Sequence, residues 1–238
     1  MKFTLEQFTD FLKGINLEEF RHKYATVKIL EMDLPPNIQA LKTIYEQYWD
    51  NKDNLQEPRD YEDYFDNVYY PTHENEIRNF WYTKSGFGHE CDCFNRGLRA
   101  RIYRTWASLI TQIHGGYVAA SIDGIQEVQM GEDLDRDGVD FRIILPNKHI
   151  DIQVKKKTGR KEIARMDDKS SKNPNIKYVR YLVPQPKEYN DPYYKIKSKS
   201  GQLRESVKQF VKFNPSGTLD RLENGFVVFT ARAFEELL

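Results

Sequence analysis

Residues 132–157 read "EDLDRDGVDFRIILPNKHIDIQVKKK", and the order of charged and apolar residues in this stretch decides the fold class. Five acidic residues (Glu132, Asp133, Asp135, Asp137 and Asp140) fall within nine positions around Gly138. Asp133, Asp135, Asp137 and Gly138 match the first half of an EF-hand calcium loop, which closes with a bidentate Glu at its twelfth position. Counted from Asp133, that position is Ile144, inside an apolar run, and the ninth is Phe141. The closing ligand is missing, which excludes the EF-hand.

Two strands follow the acidic turn. Val139 to Leu145 is the first, Pro146-Asn147 makes a tight turn, and His149 to Lys156 is the second. Alternation places Asp151, Gln153, Lys155 and Lys157 on one face of the second strand and Ile150, Ile152 and Val154 on the other. One face is therefore apolar and directed to a core, while the other gathers an acid, an amide and lysines. The hairpin brings Asp140 across from the Gln153 to Lys155 region.

These residue types suit phosphodiester hydrolysis. Carboxylates hold a hard divalent cation such as Mg²⁺, which neutralises charge on the phosphorus centre and acidifies the attacking water. A lysine adds positive charge at the scissile phosphate. An aspartate opening one strand, followed on the next by an acid or amide two residues before a lysine, resembles the pattern of PD-(D/E)XK nucleases, here Asp140 with Gln153-Val154-Lys155. Gln153 departs from the usual acid, since it offers only a neutral carbonyl oxygen, and Asp135 can supply the missing negative charge. A register slip of one residue would exchange Lys155 for Lys156 on the site face.

The flanks are consistent with this placement. Residues 1–119 carry 14 Lys/Arg against 18 Asp/Glu, a net of −4, whereas residues 142–212 carry 19 against 7, a net of +12. A basic segment beside an acidic cluster suits a polyanion partner held near a metal. Thr4 and Gln7 form a capping box ahead of Leu5, Phe8, Phe11, Leu12 and Ile15 at helical spacing, and a second helix is expected from Pro36. Residues 61–82 are expected as two short aromatic-rich helices broken at Pro71, and residues 83–97 as a loop. Leu98 to His114 carries an apolar stripe of Leu98, Ile102, Trp106, Leu109 and Ile113, with Gly115 as its expected C-terminal cap and a strand expected from Tyr117 to Ile122. Further strands are expected to end near Met130, over "IKYVRYLV" and over "GFVVFT", with helices over Leu203 to Phe213 and "ARAFEELL".

The stretch "LRARIYRTWASLITQIHGGYVAAS", together with "DLDRDGVDFRI" and "IDIQVKKK", resembles the TaqI family of type II restriction endonucleases. In that family a pair of aspartates spaced five apart precedes a V-K-K strand; here the pair corresponds to Asp135 and Asp140, with Lys155 or Lys156 as the lysine. The likeness is densest over residues 97–158. It implies an α/β fold with a restriction-endonuclease-like mixed central β-sheet flanked by helices, a helical N-terminal subdomain over 1–96 and a nuclease core over 97–238. It also implies a homodimer that uses Mg²⁺, with Mn²⁺ as a substitute, to cut double-stranded DNA at a short palindrome. Members of the family recognise TCGA, so the resemblance implies a site of that kind, with a companion DNA methyltransferase protecting host DNA. Asp135, Asp140 and Gln153 are the expected metal ligands and Lys155 or Lys156 the expected catalytic lysine. Lys195, Lys197, Lys199, Arg204 and Lys208 in the basic stretch 185–212 are the expected DNA contacts, to phosphates or to guanine edges.

Other polar groups are assigned plainer roles. His89, Cys91 and Cys93 lack a second cysteine pair or a clear fourth ligand, so reduced thiols in a cytoplasmic protein are expected rather than structural zinc. His114 is expected at a helix terminus, and Arg99, Arg101 and Arg104 on a solvated helix face. No apolar run reaches the length needed to span a bilayer. Two rival readings are a repair-type nuclease of the same core without sequence specificity, and a DNA-binding module whose acidic turn holds no metal. RNA as substrate is a third.

Overall fold

The computed structural model of the chain describes residues 3–25, 34–86, 92–157, 176–182, 217–224 and 226–238. It divides into two compact units, Met1–Ile113 and His114–Leu238. No described helix is long and apolar enough to cross a membrane.

Among the described residues the first unit is helical. Helix α1 (Leu5–Gly14) begins at the expected capping box: the Thr4 hydroxyl accepts from Gln7 N at 3.1 Å, and the Gln7 side chain accepts from Thr4 N at 2.8 Å. A short α2 (Leu17–Phe20) follows, and α3 (Leu41–Tyr48) comes after a 3-10 turn at Pro36–Ile38. Their apolar faces meet an aromatic core centred on Trp106, which has no exposed surface. Burying so many hydroxylated rings requires partners for their polar ends. Trp106 Nε1 donates to the Tyr48 hydroxyl at 2.8 Å, and Tyr48 in turn donates to the Arg59 carbonyl at 2.8 Å. These aromatics form a core.

Three expectations fail in this unit. Pro71 does not break a helix: α4 (Tyr61–Tyr64) widens into a π turn over Phe65–Tyr69 and continues as α5 (Tyr70–Ser85), with Pro71 in the opening turn of α5. Proline lacks an N–H and its ring crowds the preceding turn, and the wider turn ahead of it accommodates both. The expected loop is partly helical, because α5 reaches Ser85 and α6 (Asp92–Ala120) starts at Asp92. Arg99 is not simply solvated. It pairs with Glu62 at 2.9 Å and with Asp66, and its guanidinium lies 4.3 Å from the centroid of the Phe65 ring, which ties α6 to α4.

The second unit is built on a four-stranded mixed sheet in the order β1-β2-β3-β4, formed by β1 (Glu127–Gln129), β2 (Phe141–Leu145), β3 (Lys148–Lys157) and β4 (Ile176–Leu182). The first three strands pair antiparallel, and β4 runs parallel to β3. Phe141, Ile143, Ile150, Ile152 and Val154 are buried, so the apolar face read from alternation is the core face. A separate ribbon of β5 (Leu219–Arg221) and β6 (Val227–Phe229) precedes the short α8 (Arg232–Glu235). Phe234 of α8 lies 5.6 Å from the Phe141 ring and 5.6 Å from the Phe229 ring, in centroid separation.

The expected strand at Tyr117–Ile122 is instead the end of α6, which runs through Gly115 and Gly116 to Ala120. Each glycine costs a helix about 1 kcal/mol relative to alanine. At Gly115 close approach offsets the cost: a Cβ there would lie 3.3 Å from the Phe229 ring and 3.4 Å from that of Phe234. His114 is therefore no helix-terminal cation. It is buried within α6, and burial pushes its pKa down to about 4, leaving it neutral at physiological pH.

Candidate active site

The acidic stretch folds as a single helical turn, α7 (Glu132–Arg136), followed by a reversal at Gly138. Gly138 has φ of +80°, a left-handed conformation that glycine adopts at no steric cost. From there the chain enters β2 through Val139 and Asp140. Gln153 reaches toward this reversal, with Nε2 3.7 Å from where a Gly138 Cβ would stand.

Asp140 is the centre of the arrangement. Its backbone N–H donates to the Ile152 carbonyl at 2.9 Å, and its carboxylate accepts the Val154 N–H at 2.5 Å. The side chain thus supplies β3 with an acceptor where β2 has not yet begun. Only 5% of the residue is exposed. Burial drives the Asp140 pKa up to about 7; the Val154 N–H opposes this, Asp135 adds to it, and Lys155 opposes it. The register brings Asp140, Gln153 and Lys155 to one end of the β2–β3 hairpin, with partly exposed Asp135 close enough to act on Asp140.

Lys156 lies in β3 opposite Tyr181, but its side chain is outside the described residues. Lys195, Lys197, Lys199, Arg204 and Lys208 also lie outside them, as do His89 and Cys91. Cys93, in the first turn of α6, is disulfide-bonded, contrary to the expectation of a reduced thiol.

Among the described residues no group of three or more His, Cys, Asp and Glu side chains could hold a metal ion. The donors at hand are two carboxylates, Asp135 and Asp140, and the Gln153 amide oxygen. All are oxygen donors, the set preferred by Mg²⁺, and a buried carboxylate with raised pKa is a group that a cation would discharge. The residues therefore fit a hard divalent ion that keeps part of its water shell.

Sequence reading missed one feature of this face. Asp151, grouped with Gln153 and Lys155 by alternation, is paired across the hairpin with Arg142, Nε to Oδ1 at 2.6 Å and Nη2 to Oδ2 at 3.0 Å. The hairpin register, once fixed, sets these opposite charges face to face and was the signal available.

A family model described as TaqI restriction endonuclease matches residues 5–238, which extends the likeness over the N-terminal and C-terminal thirds. The type II restriction enzyme TthHB8I of Thermus thermophilus is 31% identical over 238 residues, covering 98% of this chain and 86% of that protein. The type II restriction enzyme TaqI of Thermus aquaticus is 30% identical over 234 residues, covering 94% of this chain and 83% of that protein. No solved structure matches the chain. A match over nearly the whole length, joined to the Asp140-centred hairpin, makes this chain a member of the TaqI family of type II restriction endonucleases.

Proposed function

We propose that this protein is a Mg²⁺-dependent endonuclease that cuts double-stranded DNA at a short palindrome, with TCGA the first sequence to test, on a PD-(D/E)XK-type core. The observation that carries the reading is the burial of Asp140 against Val154 N, with Gln153 and Lys155 following on the neighbouring strand. Asp140 and Asp135 would hold the metal, with the Gln153 oxygen as a weaker third donor. Bound there, Mg²⁺ would supply charge neutralisation at the phosphate and a more acidic attacking water. Lys155 would hold the scissile phosphate by its charge, with Lys156 the alternative. Asp140, fixed in the strand ladder, keeps its free oxygen lone pairs directed without conformational search.

The basic stretch containing Lys195, Lys197, Lys199, Arg204 and Lys208 is assigned to DNA contact on charge alone. A palindromic target implies a two-fold symmetric homodimer, and a companion methyltransferase would protect host sites. The test is digestion of unmethylated phage DNA by the purified protein with Mg²⁺, with Mn²⁺ and with EDTA. Discrete metal-dependent bands support the reading, and their lengths identify the site. A smear favours the repair-type nuclease, and intact DNA under every metal rejects catalysis.

A further inference from the structure

The sheet face that carries Gln153 and Lys155 holds another carboxylate, Asp151, which the nuclease reading leaves without a task. Its register partner on β2 is Arg142, one pair along the hairpin from the Phe141–Ile152 pair that adjoins Asp140. The two side chains meet in a bidentate fork, at 2.6 Å and 3.0 Å, with the Asp151 side chain only 10% exposed and that of Arg142 31% exposed. A fork of this geometry fixes both partners and largely cancels their charges. Arg142 is influenced by a second acid, Asp137 of the acidic turn, although less than by Asp151. The guanidinium therefore lies within electrostatic reach of both β3 and the segment that presents Asp135. Among the described residues, Asp135 and Lys155 act on Asp140, and Asp137 acts with Asp151 on Arg142.

We infer that Arg142 and Asp151 form a charge-cancelling pair beside the candidate metal-binding carboxylates. Arg142 neutralises Asp151, so that an incoming cation meets Asp135 and Asp140 without a third unpaired carboxylate beside them. This rests on the Mg²⁺-nuclease reading above and adds to it what limits the negative charge of the site. Arg142→Gln would leave Asp151 as an additional unpaired carboxylate beside the site. Asp151→Asn would leave an uncompensated guanidinium near two carboxylates that must hold a cation. The two changes thus act on a bound divalent ion with opposite sign, and a unit charge added or removed beside such a site alters affinity severalfold after screening.

The experiment is a titration of the DNA-free full-length protein with Mn²⁺ alone, followed by electron paramagnetic resonance. It compares the unaltered chain, Arg142→Gln, Asp151→Asn, the double variant and Arg142→Lys, and cleavage and melting are measured in parallel. Arg142→Gln is expected to tighten Mn²⁺ binding and Asp151→Asn to weaken it, each by roughly three- to tenfold. The double variant should return to within about twofold of the unaltered protein, because neither lone charge remains. Arg142→Lys keeps the charge without the fork and should also stay close to it, which covers a failure of the other variants to fold. A fall in affinity in both single variants would mean that the pair only braces the hairpin, and would overturn the inference, as would unchanged binding throughout. If the unaltered protein neither binds Mn²⁺ nor cuts DNA, the nuclease reading fails first, which separates the two failures.

Discussion

Asp140 accepts the backbone N–H of Val154 through its side chain, so the carboxylate at the centre of the candidate site is also part of the strand ladder between β2 and β3. This dual role makes its ionisation a matter of stability and, on the proposed function, of metal binding.

The Asp140 pKa stands near 7 in the fold against an ordinary 3.8. The folded state therefore holds this proton more tightly than the unfolded chain, and its contribution to stability is complete below about pH 4 and lost as pH rises through 7. The loss is at most about 4 kcal/mol. Metal-free Asp140→Asn should consequently melt at a higher temperature than the unaltered protein at pH 8 and show no such advantage at pH 4. Mg²⁺ should narrow the gap at pH 8 by stabilising only the aspartate form. Scanning calorimetry at the two pH values, with and without Mg²⁺, provides the check. On the proposed function the same variant should lose cleavage by roughly a thousandfold or more, since it removes the proposed central metal ligand.

Lys155 shares the face of Gln153 and acts on Asp140, and the proposed function gives it the phosphate. Lys155→Ala should lower kcat by roughly a hundredfold or more, and Lys156→Ala by less than about tenfold. Cleavage of a TCGA-containing duplex under single-turnover conditions distinguishes the two. The reverse ranking would mean that β3 binds DNA in a register shifted by one residue.

Gly138→Ala tests the reversal between α7 and β2. The added Cβ meets Gln153 Nε2 at 3.7 Å, an ordinary contact, so crowding is not the difficulty. The difficulty is φ of +80°, which costs a non-glycine residue about 1 kcal/mol or more. Urea unfolding should show a loss of that size, and Mn²⁺ affinity should fall because Asp135 is displaced from Asp140. Retained affinity would show that Asp135 does not contribute to the site.

How far the site could be read from sequence depends on how local its determinants are. The β2–β3 hairpin was legible because period-two alternation and a Pro-Asn turn fix its faces and register within a few residues. Asp140, Gln153 and Lys155 follow directly from that register. The strand expected at Tyr117 was wrong because two glycines look like a helix end locally. Gly115 is held in α6 by close approach to Phe229 and Phe234, more than a hundred residues onward, which no local pattern contains. Pro71 misled for a similar reason, since the π turn that accommodates it is set by the aromatic core around it. Arg99 looked solvent-facing until its partners Glu62 and Asp66, far earlier in the chain, were placed beside it.

His114 makes the last prediction, and its sign is opposite to that of Asp140. Burial lowers its pKa to about 4 from the ordinary 6.5, so the unfolded chain takes up the proton first as pH falls. The fold bears no cost from this histidine above pH 6.5 and a growing one between 6.5 and 4, reaching about 3 kcal/mol. His114→Gln keeps a polar side chain but does not titrate. It should flatten the decline in melting temperature between pH 6.5 and 4, while the unaltered protein loses stability over the same interval. A parallel decline in both proteins would mean that His114 reaches solvent or a proton acceptor in solution, and that the acid sensitivity arises elsewhere.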